Sequence, residues 1–334
     1  MSAYATRTIK DTDYLCITAM LRAKETNMVT RDKLERMLEE PDFAGACRIA
    51  AECGYPDMSG MRIREVEDTL SEHRHQEFED VASMVPDVAL LDLFRLKFDY
   101  HSAKALVKSN GVAKHLITYD GRGEASTILK YYMQQDVSML PLPLGEAIKD
   151  SRSMLSRTGN PCLADNILDH AYYGELIDIA ESTGLPYAVG YARLVVDTAN
   201  LRTLIRARAA GKRPEIVHEL LFEGGTVLRE SLIEFTEATD ALVQLFAPAG
   251  LETAAQKGVE VLSGGSMTDF ERECDNAINA YLSDAERIGF GPEVVIAYLA
   301  AVENEVTSLR IVLTGKLMGI APEILRERLR ESYV

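Results

Sequence analysis

"EVTSLRIVLTGK", Glu305 to Lys316, aligns without a gap with "DTANLRTLIRAR" from Asp197 and with "DYHSAKALVKSN" from Asp99. Each copy opens on an acid, carries a small or polar residue three positions on (Ser102, Asn200, Ser308) and a base five positions on (Lys104, Arg202, Arg310). Aliphatic residues follow at seven and eight: Leu106 and Val107, Leu204 and Ile205, Val312 and Leu313. A base recurs at eleven as Arg208 and Lys316. The copies begin at 99, 197 and 305, spacings of 98 and 108 residues, so a unit of about one hundred residues is used three times. A weaker correspondence lies upstream, where "DNILDHAYYGEL" from Asp165 and "CDNAINAYLSDA" from Cys274 each precede a charged helix by roughly thirty residues. The first unit keeps only an echo of it in "VEDTLSEHRHQEF".

Helical periodicity dominates the whole chain. "RDKLERMLEE", "YARLVVDTANLRTLIRARAAG" and "PEVVIAYLAAVENEVTSLRIVLTGKL" place apolar residues three and four apart, whereas strand-like alternation is short. Helix starts are marked by Pro292 with Glu293 and by Pro322 with Glu323. A capping box is expected from Thr268 to Glu271. The glycine pairs of "LFEGGT" and "LSGGSM" read as helix ends and loops rather than ligand cradles. The fold class is therefore all-α, with helical repeats over residues 1–115, 116–215 and 216–334. Three such units must bury their apolar faces on one another, either around a pseudo-threefold axis or as a stacked solenoid. The closed alternative would enclose a central hollow.

The chain has 334 residues with 52 acids against 36 bases, a formal net charge of −16, which opposes non-specific attraction to nucleic acid or anionic lipid. Five scattered cysteines without a C-x-x-C pair suit a reducing, intracellular compartment and no thiolate metal site. The N-terminal stretch "MSAYATRTIKDTDYLC" lacks the apolar core of a secretory signal. The longest clean apolar run, Val294 to Val302, is about half of what a bilayer crossing needs.

The sequence resembles the C subunit of prokaryotic V-type (A/V-type) ATPases, the counterpart of the d subunit in the eukaryotic vacuolar enzyme. The resemblance runs over essentially the whole chain. Its most specific parts are "DTANLRTLIRARAAGK" and the terminal block "GPEVVIAYLAAVENEVTSLRIVLTGKLMGIAPEILRERLRESYV". "DYHSAKALVKSN" and the glycine pair of "FEGGT" fit the same pattern, while the first sixty or so residues match loosely. The resemblance implies an all-helical, funnel-shaped protein of three related domains around a central hollow, without catalytic residues, cofactor or metal. It implies a central-stalk subunit on the cytoplasmic face of the membrane, peripheral and not inserted. Its partners would be the central shaft, held in the hollow, and the proteolipid rotor ring, and its task the coupling of ATP turnover to proton or sodium transport.

The repeated acid and base of each helix lie about 500° apart around it, so they do not stack on one face and need partners elsewhere. Interhelical bonds within each repeat are the expectation; lining of the hollow by some of them, Glu305 and Arg310 included, is the functional alternative. Glu303 and Glu305 point roughly 200° apart on a helix and cannot share acid and base work. Arg202, Arg206, Arg208, Lys212 and Arg213 form the clearest local positive cluster and are candidate partner contacts. The enzyme alternative rests on "DNILD", whose Asp165 and Asp169 share a helix face and would hold magnesium in an all-helical isoprenoid diphosphate enzyme. Against it, the equivalent stretch "DNAIN" ends in Asn279 and no second metal motif follows. His73 and His75, two apart, read as solvated, and "LTGKL" and "AAGKRPE" lack the glycine and hydroxyl of a phosphate-binding loop. "YDGRGEAS", Tyr119 to Ser126, reads as a loop too small for a cofactor site.

Overall fold

The computed structural model describes residues 9–112, 120–123, 125–234 and 239–331. The first eight residues of the N-terminal stretch, and Tyr119 and Glu124 of "YDGRGEAS", lie outside the described residues. Among the described residues every regular element is helical. In chain order these are α1 (Leu15–Glu25), α2 (Arg31–Glu39), α3 (Phe43–Glu52), α4 (Ile63–Ala82), α5 (Ala89–Ser109), α6 (Ala125–Gln134), α7 (Leu142–Thr158) and α8 (Pro161–Ser182). They continue as α9 (Pro186–Ala209), α10 (Pro214–Leu220), α11 (Arg229–Glu234), α12 (Thr239–Phe246), α13 (Glu252–Leu262), α14 (Met267–Ser283), α15 (Pro292–Leu317) and α16 (Pro322–Arg328). Short 3-10 turns join some of them.

Proline at the first helical position opens α8, α9, α10, α15 and α16, where its missing N–H costs no hydrogen bond. Side chains cap other starts: Thr30 accepts from the backbone N–H of Lys33, and Asp42 from that of Gly45. The cap expected at Thr268 lies two residues earlier, as a single hydroxyl rather than a box. Helix α14 starts at Met267, and its cap is Ser266, whose hydroxyl accepts from Asp269 N–H at 3.2 Å. The serine is two residues earlier and already supplies the acceptor, so Thr268 falls within the first turn. The glycine pair at 264 and 265 does follow the end of α13, with Gly264 at φ +96°.

The chain divides into two compact units, one formed by the segments up to Val88 and from Asp240 on, the other by Ala89–Thr239. In the first, α15 packs against α1, α2, α3, α4, α14 and α16. Val294 through Val302 are all buried, so this part of the helix has no solvent face; a helix apolar all round belongs inside. Further along α15, Val306, Leu309, Val312 and Leu313 join Leu34, Met37, Leu38, Ile49, Leu70 and Leu325 in one core. In the second unit α5 lies against α6, α7 and α8, α7 against α8, and α8 against α9. Phe94 of α5 stacks on Tyr191 of α9 with ring centroids 5.4 Å apart. None of the five cysteines is in a disulfide. Among the described residues no helix is long and apolar enough to cross a membrane.

Leu309 is fully buried in the core of the first unit. Leu309→Ala removes its contacts and leaves a void, so stability should fall by about 2–5 kcal/mol. A lowered urea midpoint followed by circular dichroism checks this; an unchanged midpoint contradicts it.

Candidate functional site

The three repeat acids meet one fate. Asp99, Asp197 and Glu305 are all buried, at 4%, 0% and 9% exposure, and so are the polar residues three positions on, Ser102, Asn200 and Ser308. A buried carboxylate is tolerated only when hydrogen bonds replace its lost water. Each acid finds them in a neighbouring loop. Asp197 of α9 accepts from the backbone N–H groups of Thr226 at 2.8 Å and Val227 at 3.0 Å. Asn200, one helical turn on, both accepts from Phe222 N–H at 2.7 Å and donates to Phe222 C=O at 2.9 Å. Together they stitch the segment after α10 onto α9.

That stitching explains the glycine pair at 224 and 225, which does not end a helix. A Cβ on Gly225 would stand 2.1 Å from Asp197 Oδ1, and one on Gly224 would stand 2.7 Å from Ile177 Cγ1, at a φ of +96°. Gly225 cradles the chain's own carboxylate, while Gly224 makes room for Ile177.

Asp99 of α5 is held in the same manner by residues 121 and 122. It accepts from Arg122 N–H at 3.2 Å and from Arg122 Nε at 2.7 Å, and a Cβ on Gly121 would lie 2.1 Å from its Oδ1. Arg122 also reaches Glu175 of α8 at 2.6 Å, and Glu175 accepts from the Tyr100 hydroxyl at 2.8 Å. Burial pushes both Asp99 and Asp197 above the usual carboxylate range, opposed by the Arg122 guanidinium at Asp99 and by backbone N–H groups at Asp197.

Glu305 of α15 faces the loop after α1, accepting from Val29 N–H at 3.4 Å. Tyr55 lies near without completing a well-formed hydrogen bond. Burial raises its pKa from 4.5 to about 7; Tyr55, Val29 and Lys33 favour the charged form, and Glu77 opposes it. Nearby, Glu77 of α4 accepts from the Tyr298 hydroxyl at 2.5 Å and from Lys24 at 2.8 Å. His73 is half-buried rather than freely solvated as expected. Its ring packs on Tyr55 with centroids 4.1 Å apart, and burial lowers its pKa.

Lys104, Arg310 and Lys316 take partners distant in sequence. Lys104 bonds Asp169, and Lys108 bonds Asp165 at 3.0 Å, an antiparallel ladder of i, i+4 pairs between α5 and α8. The aspartates of "DNILD" thus serve lysines. Their charge is compensated, and among the described residues no cluster of three metal-ligating side chains exists. Nothing favours the magnesium-dependent alternative. Arg310 pairs with Glu67 of α4 at 2.6 Å. Lys316 donates to Leu38 C=O at 2.8 Å and to Glu40 C=O, capping the end of α2. In the basic cluster Arg206, Lys212 and Arg213 are exposed, while Arg202 and Arg208 are half-buried.

The constellation therefore contains no nucleophile beside a base and no assembled ligand shell. Its geometry is that of joints. The model of the ATP synthase (C/AC39) subunit family matches residues 17–328. The chain belongs to this family. Its members are non-catalytic subunits of rotary ATPases. The C subunit of the V-type sodium ATPase of Enterococcus hirae is 22% identical over 326 residues, covering 96% of this chain and 99% of that one. The C subunit of the A-type ATP synthase of Haloferax volcanii is 22% identical over 79% of this chain and 80% of its own. That of Thermococcus onnurineus reaches 29% identity over 47% of this chain and 43% of its own.

Membership in the C/AC39 family accords with acids used as fasteners. Arg122, Glu175 and Glu67 escaped the sequence reading. A signal for the first existed: Gly121 and Arg122 follow Asp99 at 22 and 23 residues, as Gly225 and Thr226 follow Asp197 at 28 and 29. Glu175 and Glu67 carry no comparable mark, since only the packing of α8 on α5 and of α4 on α15 selects them.

Two tests follow from these joints. Gly225→Ala should destabilise by about 1–3 kcal/mol through overpacking, whereas Gly174→Ala, which meets nothing within 4 Å on α8, should stabilise by up to about 1 kcal/mol. Equal urea midpoints for the two variants would contradict the cradle. For Glu305 the folded chain binds more protons than the unfolded chain between pH 4.5 and about 7, so its contribution to stability falls as pH rises through that window. Glu305→Gln should remove that slope, worth about 3 kcal/mol across the window. Denaturant titrations of both proteins at stepped pH check it, and parallel profiles would refute it.

Proposed function

We propose that the chain is a central-stalk socket of a V-type ATPase or ATP synthase, coupling the rotor shaft to the membrane rotor ring during ATP-linked proton or sodium transport. The observation that carries this reading is that all three repeat acids are buried and committed to holding loops. The repeated charges are then architecture, as a part that transmits torque without doing chemistry requires. The family membership supplies the complex in which it would act.

In this reading residues 1–115, 116–215 and 216–334 are three related helical repeats around a pseudo-threefold axis, forming a funnel with a central hollow for the shaft. Matching helices support it. Helices α4 and α8 start 98 residues apart, at 63 and 161, as do the acids Asp99 and Asp197. Helices α10 and α16 are both seven residues long, both open on Pro-Glu-Ile, and start 108 residues apart, at 214 and 322. The last long helix, α15, packs among the first four, as a closed arrangement demands.

The protein would lie on the cytoplasmic face of the membrane through its complex, bound and not inserted. Arg206, Lys212 and Arg213, exposed at the end of α9 and the start of α10, would contact a partner, with Arg202 and Arg208 beneath them. Glu305 and Arg310 would contribute through the helix they hold.

A tagged copy expressed in its source cell should co-purify with shaft and ring subunits from detergent-solubilised membranes. Arg206→Glu combined with Arg213→Glu should reduce that capture about tenfold at moderate salt, with an unchanged circular dichroism melt. Absence of those subunits from the wild-type capture would overturn the socket, and undiminished capture by the double variant would overturn the basic contact.

A further inference from the structure

One cavity in the second unit fits neither the joints nor the basic cluster. Its volume is about 610 Å³, within the range of small-ligand sites. The ends of α5 and α6 and one face of α7 border it as a half-open cleft, bringing Lys108, Lys149 and Arg152 together with the hydroxyls of Ser153 and Ser156. Among the described residues no carboxylate lines it, in a chain whose acids outnumber its bases by 52 to 36.

Lys149, Arg152, Ser153 and Ser156 follow at i, i+3, i+4 and i+7 and so share a face of α7. The Arg152 guanidinium carbon sits 4.8 Å from the centre of the Tyr132 ring, which fixes one cation in the wall. The buried Tyr132 hydroxyl has no hydrogen-bond partner among the described residues.

The bland account is that these cations offset the negative ends of α5 and α6. Magnitudes decide against it as a full explanation. Each helix end carries roughly half a negative charge, about one in total for the two. Lys108 is already paired with Asp165. Lys149 and Arg152 still contribute two positive charges, and the carboxylates of Asp136 and Glu146 line the adjoining hollow beside Lys149 instead.

We propose that this cavity is an anion site that takes the phosphate group of a small phosphorylated molecule or of a lipid headgroup. Lys149 and Arg152 supply the charge-assisted hydrogen bonds, the guanidinium through a fork that matches two phosphate oxygens, and Ser153 and Ser156 donate from the same helix face.

The test uses the full chain at low ionic strength. Sodium pyrophosphate is titrated calorimetrically, and flotation is measured with vesicles of phosphatidylglycerol and phosphatidylcholine in a one-to-three ratio. Lys149→Glu combined with Arg152→Glu should weaken binding at least tenfold. The same charge change placed elsewhere, Arg64→Glu with Lys257→Glu, should leave it within about twofold. Variant-sensitive pyrophosphate binding supports the site with a soluble ligand, and variant-sensitive flotation alone supports it with a headgroup. No binding of either probe by a wild type with an intact melt overturns it, as does equal weakening in both double variants. If Lys149→Glu with Arg152→Glu fails to fold, Lys149→Gln with Arg152→Gln replaces it, with the same outcomes required.

Discussion

A carboxylate taken out of water must find its hydrogen bonds inside the protein, and in this chain that requirement falls on one position of each long repeat helix. Asp99, Asp197 and Glu305 answer it in the same way, by drawing a loop backbone onto the helix. Removing such a partner leaves a buried charge uncompensated, which is far more costly than the bond itself is favourable. The loops are thereby specified: glycines stand where a carboxylate oxygen would meet a Cβ at 2.1 Å, and Arg122 bridges two acids where one would not suffice. Around these joints ordinary apolar packing does the rest, from the fully buried run Val294 to Val302 of α15 to the stack of Phe94 on Tyr191.

Much of this is legible in the residues. The spacing of apolar positions gives the helices, proline gives the starts of α15 and α16, and the aligned stretches mark the very positions that prove buried. What periodicity misses is who meets whom. The five-residue offset between acid and base requires outside partners, but only tertiary packing decides that Lys104 takes Asp169 and Arg310 takes Glu67. The pair at 224 and 225 resembles helix punctuation because Gly-Gly carries the same local signal in both settings; the reasons are Asp197, 28 residues before Gly225, and Ile177 against Gly224. His73 reads as solvated because two histidines at i, i+2 share no face, yet the nearby Tyr55 ring covers part of it.

The two kinds of charge differ in energy and hence in role. Arg310 with Glu67 is about one third exposed on each side, so it sets register more than stability. The buried acids, by contrast, tie loops rigidly to helices, a property suited to a part that carries load between other proteins. In the proposed socket the loops fastened by these acids would keep their shape while shaft and ring pull on opposite ends.

Coupling is the central claim, and it is tested most directly in vesicles containing the reconstituted ATPase, with ATP hydrolysis and ATP-driven ion uptake measured together. Without this chain, hydrolysis by the head should persist while ion uptake falls to background, and adding the purified chain back should restore uptake. Ion uptake at full rate in its absence, with hydrolysis unchanged, would contradict the account.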